Sequence, residues 1–198
     1  MSSSNPPQNQ KEPFPFPREH SFPPFFTPQT NLTTHHAQQT KWSSLILSYC
    51  RHHRIFRFSL SDALTQPDSQ LAPLFENKKI NRRLSQQHLR SIIDFLIRDG
   101  GGGGGNRAEY LDPKSQDVVY IYWRTPEEWA GVIEQWIETT AQKGQVLTVY
   151  ELLEGENTRG SEFYGMDREV LIKALNVLVK RGKAQIFGQE DSLGVKFF

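Results

Sequence analysis

The stretch Trp123-Arg124-Thr125-Pro126-Glu127-Glu128-Trp129 joins two halves of the chain that are built alike. Thr125 is suited to be a helix N-cap, Pro126 fits the first helical turn, and Glu128 is spaced to close a capping box. Before this stretch lie a helix-like segment ending near Arg98 and two strand-like runs, and the same order recurs after it. The sequence therefore predicts two small domains of one kind.

Four segments place apolar residues at i, i+3, i+4, i+7 and i+8, the spacing of a helix that buries one side. The four stripes are Trp42, Leu45, Ile46, Tyr49, Cys50; Leu89, Ile92, Ile93, Leu96, Ile97; Trp129, Val132, Ile133, Trp136, Ile137; and Leu171, Ala174, Leu175, Leu178, Val179. Ser85 and Asp167 are predicted N-caps of the second and fourth helices. Gly100 and Gly182 are predicted to end the same two helices.

Strand-like runs follow the second and fourth helices. The runs are 108–111 and 118–123 in the first half, and 184–187 and 193–198 in the second. Shorter elements at 60–64, 73–75 and 146–153 lie between the helices of each half. The order helix, short helix, helix, β-hairpin is typical of a winged helix, a helix-turn-helix variant. We predict an α+β fold of tandem winged-helix domains, with residues 1–31 as a Pro/Phe-rich extended segment and domains at 32–124 and 125–198.

Composition and charge narrow the class of protein. The chain has 198 residues and a formal net charge of +1, so it has no global attraction to nucleic acid or an anionic membrane. Residues 1–125 hold 15 Lys and Arg against 10 Asp and Glu, whereas residues 126–198 hold 8 against 12. The single cysteine, Cys50, excludes an intrachain disulfide and a Cys-based zinc finger, and its apolar helical position predicts a buried thiol. Without an apolar run of ~20 residues or a signal-like N-terminus, we expect a cytoplasmic or nuclear protein.

The first 31 residues are rich in Pro, Ser, Asn and Gln, and are expected to be disordered or extended when alone. They also place aromatic residues among prolines, at 14–17 and 22–26. Proline favours the polyproline II conformation, which lowers the entropy lost on docking. We interpret the segment as a docking peptide. The alternative is that it folds back on its own domain as a cap.

No constellation of catalytic or metal-binding residues is evident. The pairs His35-His36 and His52-His53 point about 100° apart on a helix, so neither is predicted to hold a metal. The carboxylates Glu127 and Glu128 are explained as first-turn residues facing the helix dipole. The six glycines at 100–105 lack the Lys-Ser/Thr of a phosphate loop and are expected to be a flexible expansion of a surface connection. We therefore expect no enzyme, no metal and no cofactor.

A winged helix also raises the possibility of DNA binding. The cationic residues before and along the second helix are Lys78, Lys79, Arg82, Arg83, His88 and Arg90. Such residues contact phosphates in helix-turn-helix proteins, but a DNA-binding domain usually has a strong basic excess. Acidic residues in the second half oppose it; they are Glu151, Glu154, Glu156 and Glu162. A winged-helix DNA-binding transcription factor stays as the alternative function.

The remaining aromatic residues concentrate at the junction. Trp123, Trp129 and Trp136 are expected to pack one domain onto the other and make the tandem rigid. The C-terminal stretch at 194–198 ends on two phenylalanines and is expected to bury a last strand.

Several pieces of the chain together resemble a known family. They are Phe22-Pro23-Pro24-Phe25-Phe26-Thr27, Pro73-Leu74-Phe75-Glu76-Asn77, the 123–129 junction, Tyr150-Glu151-Leu152, Glu162-Phe163-Tyr164-Gly165-Met166-Asp167 and the final 194–198. Over residues 22–198 the chain is similar to the small-subunit family of the ESCRT-II endosomal sorting complex, the vacuolar protein-sorting-associated protein 25 type. The glycine run and residues 1–21 depart from the family pattern.

The resemblance implies a non-enzymatic adaptor in multivesicular-body sorting of ubiquitinated membrane proteins. It implies that two copies join one copy each of two larger subunits, with docking through Pro23, Pro24, Phe25 and Phe26. It further implies that the second winged helix recruits the N-terminal helix of an ESCRT-III subunit, without direct contact to nucleic acid. The protein would be cytoplasmic and reach the endosomal membrane only through the complex. We expect that replacing Phe25 and Phe26 by alanine leaves the chain folded but unable to dock.

Overall fold

The computed structural model describes residues 12–102, 105–189 and 192–198. Its helices are α1 (Leu32–His53), α2 (Leu60–Thr65), α3 (Ala72–Phe75), α4 (Gln86–Asp99), α5 (Pro126–Thr139), α6 (Val149–Glu154) and α7 (Arg168–Lys180). Its strands are β1 (Arg57–Ser59), β2 (Glu76–Asn77), β3 (Arg82–Arg83), β4 (Ala108–Tyr110), β5 (Val118–Ile121), β6 (Val146–Thr148), β7 (Ala184–Phe187) and β8 (Gly194–Phe197). Short 3-10 turns lie at Arg18–Ser21, Pro23–Phe26, Gly100–Gly102 and Glu156–Thr158.

The two halves have the same sheet topology. In the first, β1 and β4 both pair antiparallel with β5, and in the second, β6 and β7 both pair antiparallel with β8. The strand after the first helix thus joins the hairpin at the end of each half, and the last strand takes the centre. The predicted α+β class and the tandem of winged helices are confirmed. Strand β1 and the small β2–β3 hairpin were not predicted, because runs of two or three residues carry too little periodicity.

Side-chain caps set where the helices begin. The capping box predicted at α5 is present, with Thr125 Oγ1 accepting from the Glu128 amide and Glu128 accepting from the Thr125 amide. The predicted caps at α4 and α7 are also confirmed. The Ser85 side chain accepts from the His88 amide, and the Asp167 side chain accepts from the amides of Glu169 and Val170. Gly100 ends α4 in the left-handed conformation, with φ of 61°, as glycine readily does.

Each winged helix has its own apolar core. The first core gathers α1, α4 and β5 around side chains such as Trp42 and Ile46, which are fully buried. The second core gathers α5, α7 and β8 around side chains such as Ile133 and Val195. Cys50 lies fully buried in the first core, as predicted, and burial raises the pKa of its thiol.

The junction between the two winged helices is apolar at its centre. The ring of Phe56, from the first half, belongs to the second core and lies 4.3 Å from the ring of Trp123. Trp123 packs on both cores, and Trp129 lies beside it with ring centroids 6.5 Å apart. Trp136 instead packs edge-on against Phe163 inside the second half. The expected bridging role holds for the first two tryptophans, and it is wrong for Trp136.

Polar contacts surround this apolar centre. Glu109 accepts hydrogen bonds from Lys173 Nζ at 2.9 and 3.0 Å and from Tyr122 Oη at 2.7 Å. Burial acts to raise the pKa of Glu109, but these hydrogen bonds hold it below its usual value. Arg54 donates from Nη2 to the Tyr164 carbonyl at 2.6 Å. The two halves are therefore joined by contacts of both kinds.

The start of the glycine run is part of the packing. Gly101 has φ of 70°, and a Cβ added there would lie 2.9 Å from Ser43 Cβ on α1. Gly100 is buried. The expected flexible surface expansion is therefore wrong for these two residues, because α1 and α4 leave no room for a side chain at Gly101 and the backbone of Gly105 leaves none at Gly100. Residues 103–104 of the run lie outside the described residues, as do residues 1–11 of the N-terminal segment.

Candidate partner-binding surfaces

The N-terminal segment, residues 12–31, packs across α1 of the first winged helix. Phe25 and Phe26 are only 5% and 4% exposed and belong to the first core. The Phe25 ring stacks on Trp42 at 4.4 Å, and Trp42 Nε1 donates to the Phe25 carbonyl at 2.8 Å. The expectation that both phenylalanines are dispensable for folding has to be corrected, because they fill the core. In the isolated chain the two rings pack against their own domain, as the alternative interpretation of the segment as a cap predicts.

Polar side chains of the domain hold the backbone of this segment. Gln38 Nε2 on α1 lies 2.9–3.1 Å from the carbonyl oxygens of Pro24, Phe25 and Thr27. The two N–H donors of this amide are thus shared among three carbonyls, and the bond to Phe25 satisfies a carbonyl that is buried. The segment is bound in one conformation along this part of its length.

A buried histidine fixes the segment at a second point. His20 Nε2 donates to the Leu74 carbonyl at 3.0 Å, and Asn77 Nδ2 donates to the His20 carbonyl at 2.7 Å. Burial lowers the pKa of His20, although the Leu74 carbonyl partly opposes that shift. His20 was not singled out from the sequence, because it stands in no periodic or motif position. Asn77 was quoted only as the end of the 73–77 stretch of the family resemblance, with no role assigned to it.

The outward side of the segment is the surface that a partner can reach. Phe22 is 58% exposed and Phe16 is 37% exposed, Pro24 is exposed and Pro23 is half-buried. We call these four residues the N-terminal surface. Of the four predicted docking residues, Pro23 and Pro24 lie on it, whereas Phe25 and Phe26 lie beneath it. Phe16 and Phe22 belong to the predicted docking segment but were not among the four named docking residues, although they too stand beside prolines.

The cationic residues that suggested DNA binding lie on two different elements and differ in exposure. His88 is 1% exposed, and burial lowers the pKa of its imidazole. Arg90 is half-buried on α4, whereas Lys78, Lys79 and Arg82 stand exposed on the β2–β3 hairpin. The helix that would read a DNA groove therefore does not present this set of cations together.

The second winged helix has a separate exposed surface. Tyr150, 67% exposed, and Glu154 stand outward on α6 at i and i+4, and we call this pair the α6 patch. The outer face of its sheet carries Val146 and Phe187, which are 52% and 45% exposed. These side chains give the second half apolar surface that its own fold leaves in water.

The predicted acidic face of the second half is only partly available. Glu151 accepts from the Thr148 amide in a capping box, and Glu156 pairs with Arg159 at 3.2 Å. Glu162 pairs with Arg124 at 2.7 Å. Of the four predicted acidic residues, Glu154 is the one without a cation or cap contact in the part of the chain that the structure describes.

Neither a metal-binding cluster nor a membrane-crossing helix is found among the described residues. No cluster of three or more His, Cys, Asp or Glu able to hold a metal ion occurs among them. His52 Nε2 instead donates to the Glu12 carbonyl at 3.0 Å, and its ring packs edge-on against Phe14. In the same residues, no helix has both the length and the apolar character needed to cross a membrane.

Comparison with known proteins places this architecture in one group. A family described as "ESCRT-II complex subunit" matches residues 19–167. The chain is 39% identical to vacuolar protein-sorting-associated protein 25 of Xenopus laevis, over 93% of this chain and 99% of the relative. It is also 39% identical to the protein of that name in Homo sapiens, over 93% and 98% of the two chains.

Solved structures agree with these relatives. The fold matches the crystal structure of subunit VPS25 of the endosomal trafficking complex ESCRT-II with a TM-score of 0.76 and 27% identity, over 92% of this chain and 98% of that one. It matches a chain in the crystal structure of the endosomal complex ESCRT-II (VPS22/VPS25/VPS36) with a TM-score of 0.75 and 28% identity, over 92% and 98%. The likeness therefore covers both winged helices.

Proposed function

The chain belongs to the family of ESCRT-II complex subunits of the vacuolar protein-sorting-associated protein 25 type, and on that premise we propose that it is a non-enzymatic adaptor. In this proposal two copies join two larger subunits to form an ESCRT-II complex that sorts ubiquitinated membrane proteins into multivesicular bodies. The observation that carries it is the 39% identity over 93% of this chain. A solved complex containing VPS22 and VPS36 supports the assignment of larger partner subunits.

We assign residues 1–31 to docking, with 32–124 and 125–198 as the two domains. The buried Phe25 and Phe26 hold the docking segment in place, and Pro23 and Pro24 present it together with the exposed Phe22. Proline and aromatic side chains suit this task, because they bury a large area and lose little conformational entropy. The protein acts in the cytoplasm and reaches the endosomal membrane through the assembled complex.

The second winged helix is assigned to recruit an ESCRT-III subunit through that subunit's N-terminal helix. The α6 patch supports this assignment, because Tyr150 offers exposed apolar area and Glu154 offers a carboxylate. A basic amphipathic helix would complement both, with its apolar stripe on the ring and a cation on the carboxylate. Residues 126–198 carry an excess of acidic over basic residues, which favours such a partner.

The docking assignment is tested by co-purification of the full chain with the two larger subunits, with nuclease present. We expect Phe22→Ser with Pro24→Ser to lose the larger subunits while the chain stays folded, because both side chains stand in water. The matched control is Leu111→Ser, since Leu111 is 52% exposed in the turn after β4 of the same winged helix. Equal recovery with both variants would contradict docking through this surface.

The ESCRT-III assignment needs its own variant. Tyr150→Ser with Glu154→Lys should abolish binding of the ESCRT-III N-terminal helix and leave assembly with the larger subunits intact. Val179→Ser is the control, because Val179 is an exposed apolar residue on α7, away from α6. If the assembled complex is recovered only with duplex DNA, and nuclease removes every partner, the DNA-binding alternative replaces the adaptor.

A further inference from the structure

An open groove of about 500 Å³ runs between the N-terminal segment and the β2–β3 hairpin. Phe16, Pro67 and Pro73 give it apolar walls, and Lys78 and Lys79 stand on its hairpin side. Both lysines are exposed. The groove therefore combines an apolar lining with a cationic rim, on the same side of the molecule as Phe16 of the N-terminal surface.

The rim is held in place by hydrogen bonds rather than left to a mobile loop. Asn77 Oδ1 accepts from the Lys79 amide at 3.0 Å, which shapes the hairpin turn. Asn77 Nδ2 donates across to the His20 carbonyl at 2.7 Å, which ties that turn to the N-terminal segment. Asn81 completes the turn at φ of 50°, a conformation that asparagine tolerates. The two walls of the groove thus keep a fixed separation before any partner arrives.

The charges around the groove are unequal. Glu76, on the hairpin, is paired with Arg83 at 3.5 Å. Lys78 and Lys79 form no ion pair with a carboxylate among the described residues, and Glu76 is the one acidic residue in the described lining of the groove. The hairpin rim therefore carries an excess of positive charge, because Glu76 is shared with Arg83 and both lysines are exposed.

We propose that this groove binds an extended peptide segment that presents an apolar side chain flanked by carboxylates. The apolar side chain enters between Phe16 and Pro73, and the carboxylates meet Lys78 and Lys79. The inference rests on the proposed function, because the segment is assigned to a larger subunit that docks on the adjoining N-terminal surface. An acidic peptide is the occupant that complements the positive charge of Lys78 and Lys79.

A concave groove favours a peptide over an anionic membrane. Lipid headgroups form an extended plane, and recognition by charge alone usually uses clusters of about four to eight cations on a projecting element. The hairpin carries four cations, but Arg83 is engaged by Glu76 and Arg82 lies outside the groove lining. The two lysines that do line the groove border an apolar hollow that a plane of headgroups does not fill. A chain in extended conformation fits such a hollow and satisfies both features at once.

The test measures the affinity of the full chain for the purified assembly of the two larger subunits. Lys78→Glu with Lys79→Glu should weaken binding about tenfold at about 100 mM salt, since each reversed exposed charge contributes modestly. The loss should shrink to about twofold or less at about 500 mM salt, because exposed charges are screened. The matched control, Lys114→Glu with Lys180→Glu, makes the same change in net charge at exposed sites away from the groove and should bind as the wild type does.

The outcomes separate the inference from the function on which it rests. If the wild type assembles and the groove variant binds equally well with the same salt dependence, the acidic-peptide inference is overturned and the adaptor function stands. If the wild type fails to assemble, both fail together. If the groove variant assembles normally but loses sedimentation with phosphatidylserine vesicles, the groove is a lipid contact and the inference is wrong.

Discussion

Trp42 and Trp129 open the apolar stripe of the first helix in the two halves, and each is covered by chain that comes before its helix. Trp42 is covered by Phe25 and Phe26 of the N-terminal segment. Trp129 is approached by Trp123, just ahead of α5, and by Phe56 of the first winged helix. The N-terminal segment therefore covers the first tryptophan of the first half, as the junction covers the first tryptophan of the second. It is a structural part of its domain, and only its outer side is left for partners.

The halves also differ in what has been added to the common topology. The first carries the β2–β3 hairpin, whose strand β3 lies next to the Pro23–Phe26 turn. At the corresponding place, between its short helix and its last helix, the second carries the 3-10 turn Glu156–Thr158. The candidate docking features of the first half thus lie on additions to the repeated fold. This contrast places its proposed interface where the two halves are least alike.

Removing the two phenylalanine rings that pack on Trp42 should have the largest effect, and it tests whether the N-terminal segment is a structural part of its domain. Phe25→Ala with Phe26→Ala should unfold or severely destabilise the first winged helix, because each buried Phe→Ala change costs about 3–5 kcal/mol. The two losses need not add, since the rings touch each other. Urea denaturation followed by circular dichroism measures the effect. Phe22→Ala, at the exposed neighbouring ring, should change the free energy of unfolding by less than about 0.5 kcal/mol, and an unchanged midpoint for the double variant would refute the capping role.

Removing the cover of Trp129 tests the same idea at the junction. Phe56→Ala should cost about 3 kcal/mol, and it should also uncouple the two halves, because the ring belongs to the second core. Calorimetry should then resolve two unfolding transitions where the wild type gives one. Trp136→Phe is the control, since Trp136 packs within the second half and should leave a single transition. A single, equally sharp transition for Phe56→Ala would show that this ring does not couple the halves.

The elements with strong local signals were predictable from the sequence. The capping residues Thr125, Ser85 and Asp167 act through hydrogen bonds to amides two or three residues away, so sequence spacing alone was sufficient. Strand β1 was missed because three residues in a run carry little pattern, and it is stabilised by pairing with β5, whose partner residues come 59 to 63 positions later in the chain.

The candidate site was harder to predict than the fold. A Pro-aromatic segment looks the same whether its rings point to its own domain or to a partner, and composition cannot tell the two apart. Long-range packing decides it, because Gln38 and Trp42 supply the donors that bind the segment's carbonyls. The basic groove was likewise hidden, since Phe16 and Lys79 meet only through the fold.

The buried histidines make the first half the more acid-sensitive of the two. Burial lowers the pKa of both His20 and His88 below the ordinary 6.5, although hydrogen bonds to the carbonyls of Leu74 and Phe26 partly oppose the two shifts. Below pH 6.5 the unfolded chain takes up protons that the folded chain resists, so stability present above that pH falls as the pH drops. The carboxylates with lowered pKa values lose their contribution only below about pH 4.5, so the window from pH 7.5 to 5.5 isolates the histidines.

We therefore expect the melting temperature to fall between pH 7.5 and 5.5, by less than either core substitution lowers it. His20→Gln with His88→Gln should flatten this dependence even though the variant is less stable overall, because no depressed imidazole remains to titrate. His36→Gln, at an exposed position on α1, should keep the wild-type slope. A wild-type melting temperature that is flat over this range would contradict the assignment.

The polar rim of the junction should contribute the least. Glu109 and Lys173 are 44% and 35% exposed at their side chains, so water screens their attraction, and a double-mutant cycle with Glu109→Gln and Lys173→Met should give a coupling of less than about 1 kcal/mol. The coupling should persist from neutral pH down to the depressed pKa of Glu109, and vanish below it as the carboxyl group takes up a proton. A coupling as large as the effect of Phe56→Ala would contradict this order of contributions, because it would mean that the tandem is held by its charges rather than by the aromatic ring inserted between its cores.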